Sequence, residues 1–572
     1  MTRAHILIVL MTLPGVFTTR TLAQQARIGQ LHQLVHGPTD QTEPVKCGLP
    51  AVTVALMQID TASQELRYKL AAALLRPTLQ KNILVGNFRI HYDTTGSDAP
   101  AMLDAFHQPI PGTADEFADS VASIVSYVLR YEADTLGYLP PPADNGAGGG
   151  NEYDIYIQDL SNTYGVTWPE SPINGKPEGG TFTSYITIDN DFTFVSPDSN
   201  KGLPGLRVTL AHELHHAIQL GRYGYWSSDI FFYEITSVWM EDVVFTEVND
   251  YFQYLRASQG QFRRPETPFN SSPTDFIMYS RGIWGQFIEK KHDRRAMRRA
   301  WEEIQNARPL EAINDALQEA PYFSSLREAF GEWTLWNYYT GSRYDSVRYY
   351  PEGRYYPNML LNPIYFTPPG ARSVPGNLAA LGGKYYEVVL PTAAFPLIVG
   401  NVNVGAAFAG TTTQFPFTYL LNTQQVDQTY KPAPAGIFVK LDVSDPANWY
   451  SSDGMSGGTG PSAIVSGRPY PSPFRADGQK VVYIPADGPK DMLGVVSIFS
   501  SSMDLIYSTA QRAIAPLGKP VFTWDGRTSD GQLAASGVYL FVVELPGSVL
   551  LANDTYRYVD RISGKIALIK EN

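Results

Sequence analysis

A single cysteine, Cys47, stands among 572 residues. No intramolecular disulfide can form, so the fold must rest on packing or on bound metal. Histidine is sparse too, at nine residues, so any cluster of them stands out. Beyond the N-terminus no run is long and apolar enough to span a bilayer. The nearest, Tyr385 to Gly410, is broken into strands and turns by Pro, Gly and Asn. There is no block of like charge and no internal repeat, which excludes a charged tail and a solenoid. Basic residues are outnumbered, and the net charge of −12 argues against nucleic acid as a partner.

What is present is a globular composition, 44% hydrophobic, on a chain too long for one core. Tyrosine (35), glycine (48) and proline (42) are abundant, which favours strands and loops over helical bundles. Residues 1–23 read as a signal peptide: Arg3, the apolar run Ile6 to Phe17, and a small-residue end at Thr21 to Ala23. The run is interrupted by Pro14 and is too short for a membrane anchor. The expected mature product is secreted or at the cell surface, without a transmembrane segment. Residues 24–85 read as a propeptide or N-terminal helical region, with a helix over Thr61–Arg76 stopped by Pro77. From 86 to 345 strands mix with helices. Asn87–Asp93, Glu152–Leu160 and Gly180–Asp189 alternate as strands, and Phe117, Val121, Ile124, Val125 and Val128 form one helical stripe. Residues 346–465 read as a β-rich middle domain, and residues 466–572 as a separate β unit.

The chemistry concentrates at Thr209 to Gly221, TLAHELHHAIQLG. His212-Glu213-Leu214-His215-His216 matches H-E-x-x-H. On a helix, residues i and i+4 share a face, so His212 and His216 can aim at one Zn²⁺. Glu213 beside them is placed to take a proton from a zinc-bound water. His215, displaced around the helix, is expected to pack or to support a ligand. Metzincins would need Gly at 219 and His at 222; Gln219 and Arg222 exclude that class. The next helix, Phe231 to Phe245, carries Glu234 and Glu241 on one face, with Asp229 and Asp242 as weaker candidates for a third ligand.

His212 to His216, then Glu234 eighteen positions on and Glu241 seven further, resembles the gluzincin arrangement of thermolysin-like peptidases and gluzincin aminopeptidases. The resemblance implies Zn²⁺ held by His212, His216 and Glu234, Glu213 as general base, and Glu241 behind a ligating imidazole. Tyr233 and Ile235-Thr236 depart from the aminopeptidase N-E-G-F pattern. Tyr279-Ser280-Arg281-Gly282 is similar to the aminopeptidase Y-x-K-G motif, which implies an oxyanion-donating role for Tyr279. The aminopeptidase G-x-M-E-N motif is absent, so an endopeptidase is the expected activity. By order along the chain, Gly180–Asp189 is expected to be the edge strand that pairs with an extended substrate. More widely, residues 86–345 resemble secreted bacterial metallopeptidases of gluzincin type.

Val45 to Pro50, VKCGLP, resembles the P-R-C-G-x-P segment that keeps matrix metalloproteases latent, which makes Cys47 a candidate latency ligand. Trp524-Asp525-Gly526-Arg527, the turn at Ser529 to Gly531 and the strands after it look like FlgD-type Ig-like domains. Similar domains close proteins exported by the type IX system, so outer-membrane secretion machinery is a candidate partner. The fold expected is multidomain: an α+β gluzincin (thermolysin-like) catalytic domain, then all-β domains, the last an Ig-like β-sandwich. The expected function is hydrolysis of protein or peptide substrates by an exported zinc metallopeptidase. The rivals are a catalytically retired surface or adhesion protein and a zinc hydrolase for non-peptide amides or esters.

Overall fold

The structure, a computed structural model, describes residues 44–58, 64 and 75–365 with gaps at 177, 272–275, 320 and 323, and separate stretches from there to 570. The signal at 1–23 and most of the predicted helix Thr61–Arg76 lie outside the described residues. The chain is mixed α and β and divides into two compact units. No described helix is long and apolar enough to cross a membrane.

The first unit, which holds the described residues from 44 to 362, is built on a six-stranded sheet. Its strands are β1 (Val45–Cys47), β2 (Lys81–Val85), β3 (Phe88–Tyr92), β4 (Tyr153–Ile157), β5 (Thr163–Pro172) and β6 (Phe182–Ile188), in the order β1-β5-β6-β4-β3-β2. β3, β4 and β6 run parallel, β5 is antiparallel to β6, and β1 is parallel to β5. Parallel neighbours need a crossover. Helix α2 (Ala114–Arg130), which follows α1 (Leu49–Gln58) in the chain, supplies it between β3 and β4. Asp115 and Glu116 open α2 and Arg130 closes it, matching the helix dipole. Of the expected stripe, Phe117, Val121, Val125 and Val128 are buried, and Ile124 is half-buried.

The expected substrate-pairing strand is corrected here. β6, within Gly180–Asp189, is interior, between β5 and β4. The strand beside it is β5, whose Gly165, Pro169 and Pro172 obscure its period in the sequence. The edge of β5 is taken by β1.

Helices α3 (Leu203–Ile218) and α4 (Ile230–Val244) pack against each other, and α3 also packs on β5 and β6. Pro204 sits in the first turn of α3, where its missing N–H has no intrahelical partner to lose. The residues Val208 to Ile218 are buried without exception. The helix is thus enclosed all round, not only on the apolar side that its leucines predict. Its imidazoles and carboxylate face protein, where each polar group needs a partner. Beyond α4 come the short helix Phe252–Arg256, a 3₁₀ helix at Phe276–Arg281 and the helix Ile283–Lys291. The helix Arg294–Glu303 carries Arg298–Glu302 and Arg299–Glu303 ion pairs four residues apart, as its charge pattern predicts.

The second unit includes the described residues from 417 to 570. Five strands lie in the order Phe474–Ala476, Asp560–Lys570, Gly537–Leu545, Leu493–Phe499 and Leu505–Arg512, and Val482–Pro485 pairs with Val521–Trp524. Ile484, Val496, Ile498, Trp524, Phe541 and Ile566 share one core. The indole of Trp524 donates to the Arg527 carbonyl at 2.7 Å across the Trp-Asp-Gly-Arg turn. Gly526 has φ +79°, and a Cβ there would meet Ala476 at 2.8 Å, so the turn needs glycine. Tyr470 to Pro473, part of the motif before the first strand, lies outside the described residues.

Candidate metal centre

Packing of α3 on α4 brings His212, His216 and Glu234 together in the interior. The two Nε2 atoms are 3.0 Å apart. Glu234 reaches both, with Oε2 at 3.2 Å from His212 and Oε1 at 3.3 Å from His216. Cys47, at the end of β1, completes the group: one donor atom from each of these four buried residues lies within 4.8 Å of the others. Donor atoms this close together could share one metal ion.

The partners behind the imidazoles set which nitrogen is free. The Nδ1–H of His212 donates to Glu241 at 2.7 Å. The Nδ1–H of His216 donates to the Gln219 side-chain oxygen at 2.8 Å. Gln219 is itself fixed, donating to Thr236 Oγ1 at 2.9 Å and to the Tyr233 carbonyl at 3.3 Å. Both Nε2 lone pairs then converge on the Glu234 carboxylate, an arrangement that demands positive charge between them. Burial opposes charge on His212, yet its hydrogen bonds to Glu234 and Glu241 raise the imidazole to about 9. Burial likewise opposes charge on Glu234, but the His216 and His212 side of the site holds it down at about 2. One proton on one ring serves one carboxylate; a divalent cation serves all four donors. A buried Cys-His-His-Glu set of this kind could hold a metal ion.

Glu213 points at the same space from the sheet side. Its Oε2 accepts from Thr167 Oγ1 of β5 at 2.7 Å, while Oε1 is buried without a hydrogen-bond partner. Burial pushes its carboxyl up, against the pull of His212 and His216. Gly165 makes room for it, since a Cβ there would stand 2.9 Å from Glu213 Cγ. Tyr279, in the 3₁₀ helix, is buried and donates its O–H to the Cys47 carbonyl at 3.3 Å. The Leu49 N–H donates to Cys47 Sγ at 3.3 Å. Burial, and then the Glu213 and Glu234 charges, push the thiol well up, which a bound cation would offset.

All seven residues singled out in the sequence, Cys47, His212, Glu213, His216, Glu234, Glu241 and Tyr279, therefore belong to one neighbourhood. The weaker candidates do not: Asp229 pairs with Arg308 at 2.7 Å and Asp242 accepts from Gln286 at 3.1 Å. His215 turns away and meets Glu132 at 2.7 Å beside Tyr138 and Trp301. Sequence reasoning missed Thr167, Gln219 and Lys46. Gln219 was accessible by helical spacing, three residues past His216; the other two come from strands whose pairing no local pattern reveals.

No protein-family model, curated protein or solved structure matches this chain.

Proposed function

We propose that this protein is a zinc-dependent endopeptidase of gluzincin type, held latent by the segment that carries Cys47. The observation that supports this reading best is the unpaired Oε1 of a buried Glu213 beside a Cys-His-His-Glu donor set. His212, His216 and Glu234 would hold the metal, leaving the place of Cys47 for substrate. When bound there, zinc would supply Lewis acidity and make water at the site easier to deprotonate. Glu213 takes up the proton at Oε1, with Thr167 fixing the other oxygen, and returns it to the leaving amine. Tyr279, whose hydroxyl already meets the carbonyl of Cys47, donates to the substrate carbonyl oxygen as it gains charge. The edge of β5 would hold the substrate strand once β1 has left.

Occupancy of the fourth position by a thiol also suits a closed, purely structural zinc site. A quenched-peptide assay on zinc-loaded protein separates the two. Cys47→Ser, and protein trimmed of the N-terminal segment by limited proteolysis, should hydrolyse peptides faster than the intact chain. Adding Glu213→Gln should abolish that activity with zinc content unchanged. A trimmed, zinc-loaded protein that cleaves no peptide refutes the enzyme reading. Export, and sorting through an Ig-like C-terminal domain, belong to the same proposal; N-terminal and C-terminal sequencing of the secreted product checks both.

A further inference from the structure

Next to Cys47 in β1 is a lysine that almost never sits where this one does. Lys46 is buried, 1% exposed. Its ammonium lies 2.8 Å from Glu241 Oε2 and 2.9 Å from Asp250 Oδ2. It also stands 4.4 Å from the centre of the Tyr164 ring. The pocket around it is built independently of β1. Asp250 Oδ1 accepts from Tyr164 O–H at 3.2 Å, Asn200 Nδ2 at 3.2 Å and Gln253 Nε2 at 2.9 Å. Glu241 is held from its other side by His212. None of these walls belongs to residues 45–58.

The pocket is also in register with the metal donors. β1 lies on β5 with Cys47 opposite Gly165, and the Gly48 N–H donates to the Gly165 carbonyl at 2.9 Å. A chain that replaces β1 on this edge brings a side chain to the same mouth, within a residue or two of the bond beside Glu213. When β1 leaves, two buried carboxylates face a cavity shaped for an alkyl stem and a cationic tip. Such a pair requires a cation to replace the one it lost.

We infer that this pocket is the specificity subsite, and that the enzyme selects peptides carrying a basic side chain beside the scissile bond, lysine above all. Lys46 mimics that side chain in the latent protein. A compact ammonium fits between two single carboxylate oxygens and a ring face better than the wide fork of a guanidinium does. This inference rests on the peptidase reading above, and its test separates the two.

The zinc-loaded chain, trimmed of its N-terminal segment by limited proteolysis, is given a peptide library and its cut sites are sequenced. Lysine should be enriched at least ten-fold at one subsite, and Asp250→Asn should erase that enrichment. In parallel, the trimmed zinc-free protein is titrated calorimetrically with peptides spanning residues 43–54, with Cys47 replaced by Ser and either Lys or Met at 46. The Lys peptide should bind at least ten-fold more tightly. Cleavage without basic enrichment, or equal binding of the two peptides, overturns the subsite while leaving the peptidase reading intact. If nothing is cleaved, the peptidase reading falls and the subsite falls with it; where Asp250→Asn does not fold, the lysine enrichment of the unsubstituted chain and the peptide titration decide the pocket.

Discussion

Replacing Glu241 by Gln tests the arrangement behind the metal donors without touching one of them. The carboxylate uses both oxygens: Oε1 accepts from His212 Nδ1 at 2.7 Å and Oε2 faces Lys46 at 2.8 Å. An amide has one acceptor and one donor. Whichever way it turns, a donor meets either the imidazole N–H or the ammonium. Breaking a buried ion pair costs about 3–5 kcal/mol. Lys46 keeps Asp250 at 2.9 Å, so the lower end of that range applies to the metal-free protein. On the metal side, losing the group that orients a ligating histidine lowers affinity about 10- to 100-fold, or about 1.4–2.7 kcal/mol. Competition for zinc against a chromophoric chelator reads the second number, and urea denaturation of the metal-free chain reads the first. Zinc affinity within two-fold of the unmodified protein, together with an unshifted urea midpoint, would show that Glu241 supports neither His212 nor Lys46.

Two more predictions use neighbouring positions. Gly165→Ala places a Cβ 2.9 Å from both Glu213 Cγ and Thr209 Cγ2. Stability should fall by about 1–3 kcal/mol; peptide hydrolysis should fall with it, while chelator competition finds zinc affinity within two-fold, because none of the four donors is touched. Asp242 is half-buried, and burial followed by the Glu352 and Glu289 charges pushes its carboxyl up to about 8. The folded state then keeps a proton that the unfolded chain has already lost, so stability falls as pH rises from about 4 and levels off above about 8. Asp242→Asn should flatten that profile, removing at most roughly 3–4 kcal/mol of difference between pH 5 and pH 8. Urea midpoints at the two pH values measure it, and parallel profiles for protein and variant would contradict the assignment.

Much of the centre is legible along the chain because helical geometry is local. A four-residue step puts His212 and His216 on one face, and a seven-residue step does the same for Glu234 and Glu241. That the two faces meet could be expected only from the resemblance to gluzincins; in the structure it follows from the packing of α3 on α4. Cys47 was singled out by its flanks, but its distance from the histidines was not a property of those flanks. The expectation that β6 is an edge fails because it rests on order along the chain, and strand order in a sheet is not chain order: β5 and then β1 lie beyond β6.

Spacing and residue type by themselves determined the donor chemistry, since the identity of a ligand and the periodicity of a helix are fixed by covalent order. Only the tertiary structure decided which edge is covered, where the sulfur of Cys47 lies, and that Lys46 is buried between Glu241 and Asp250. Those depend on strand pairing between residues more than a hundred positions apart, where the free energy comes from burying surfaces together and leaves no mark on any short stretch of sequence.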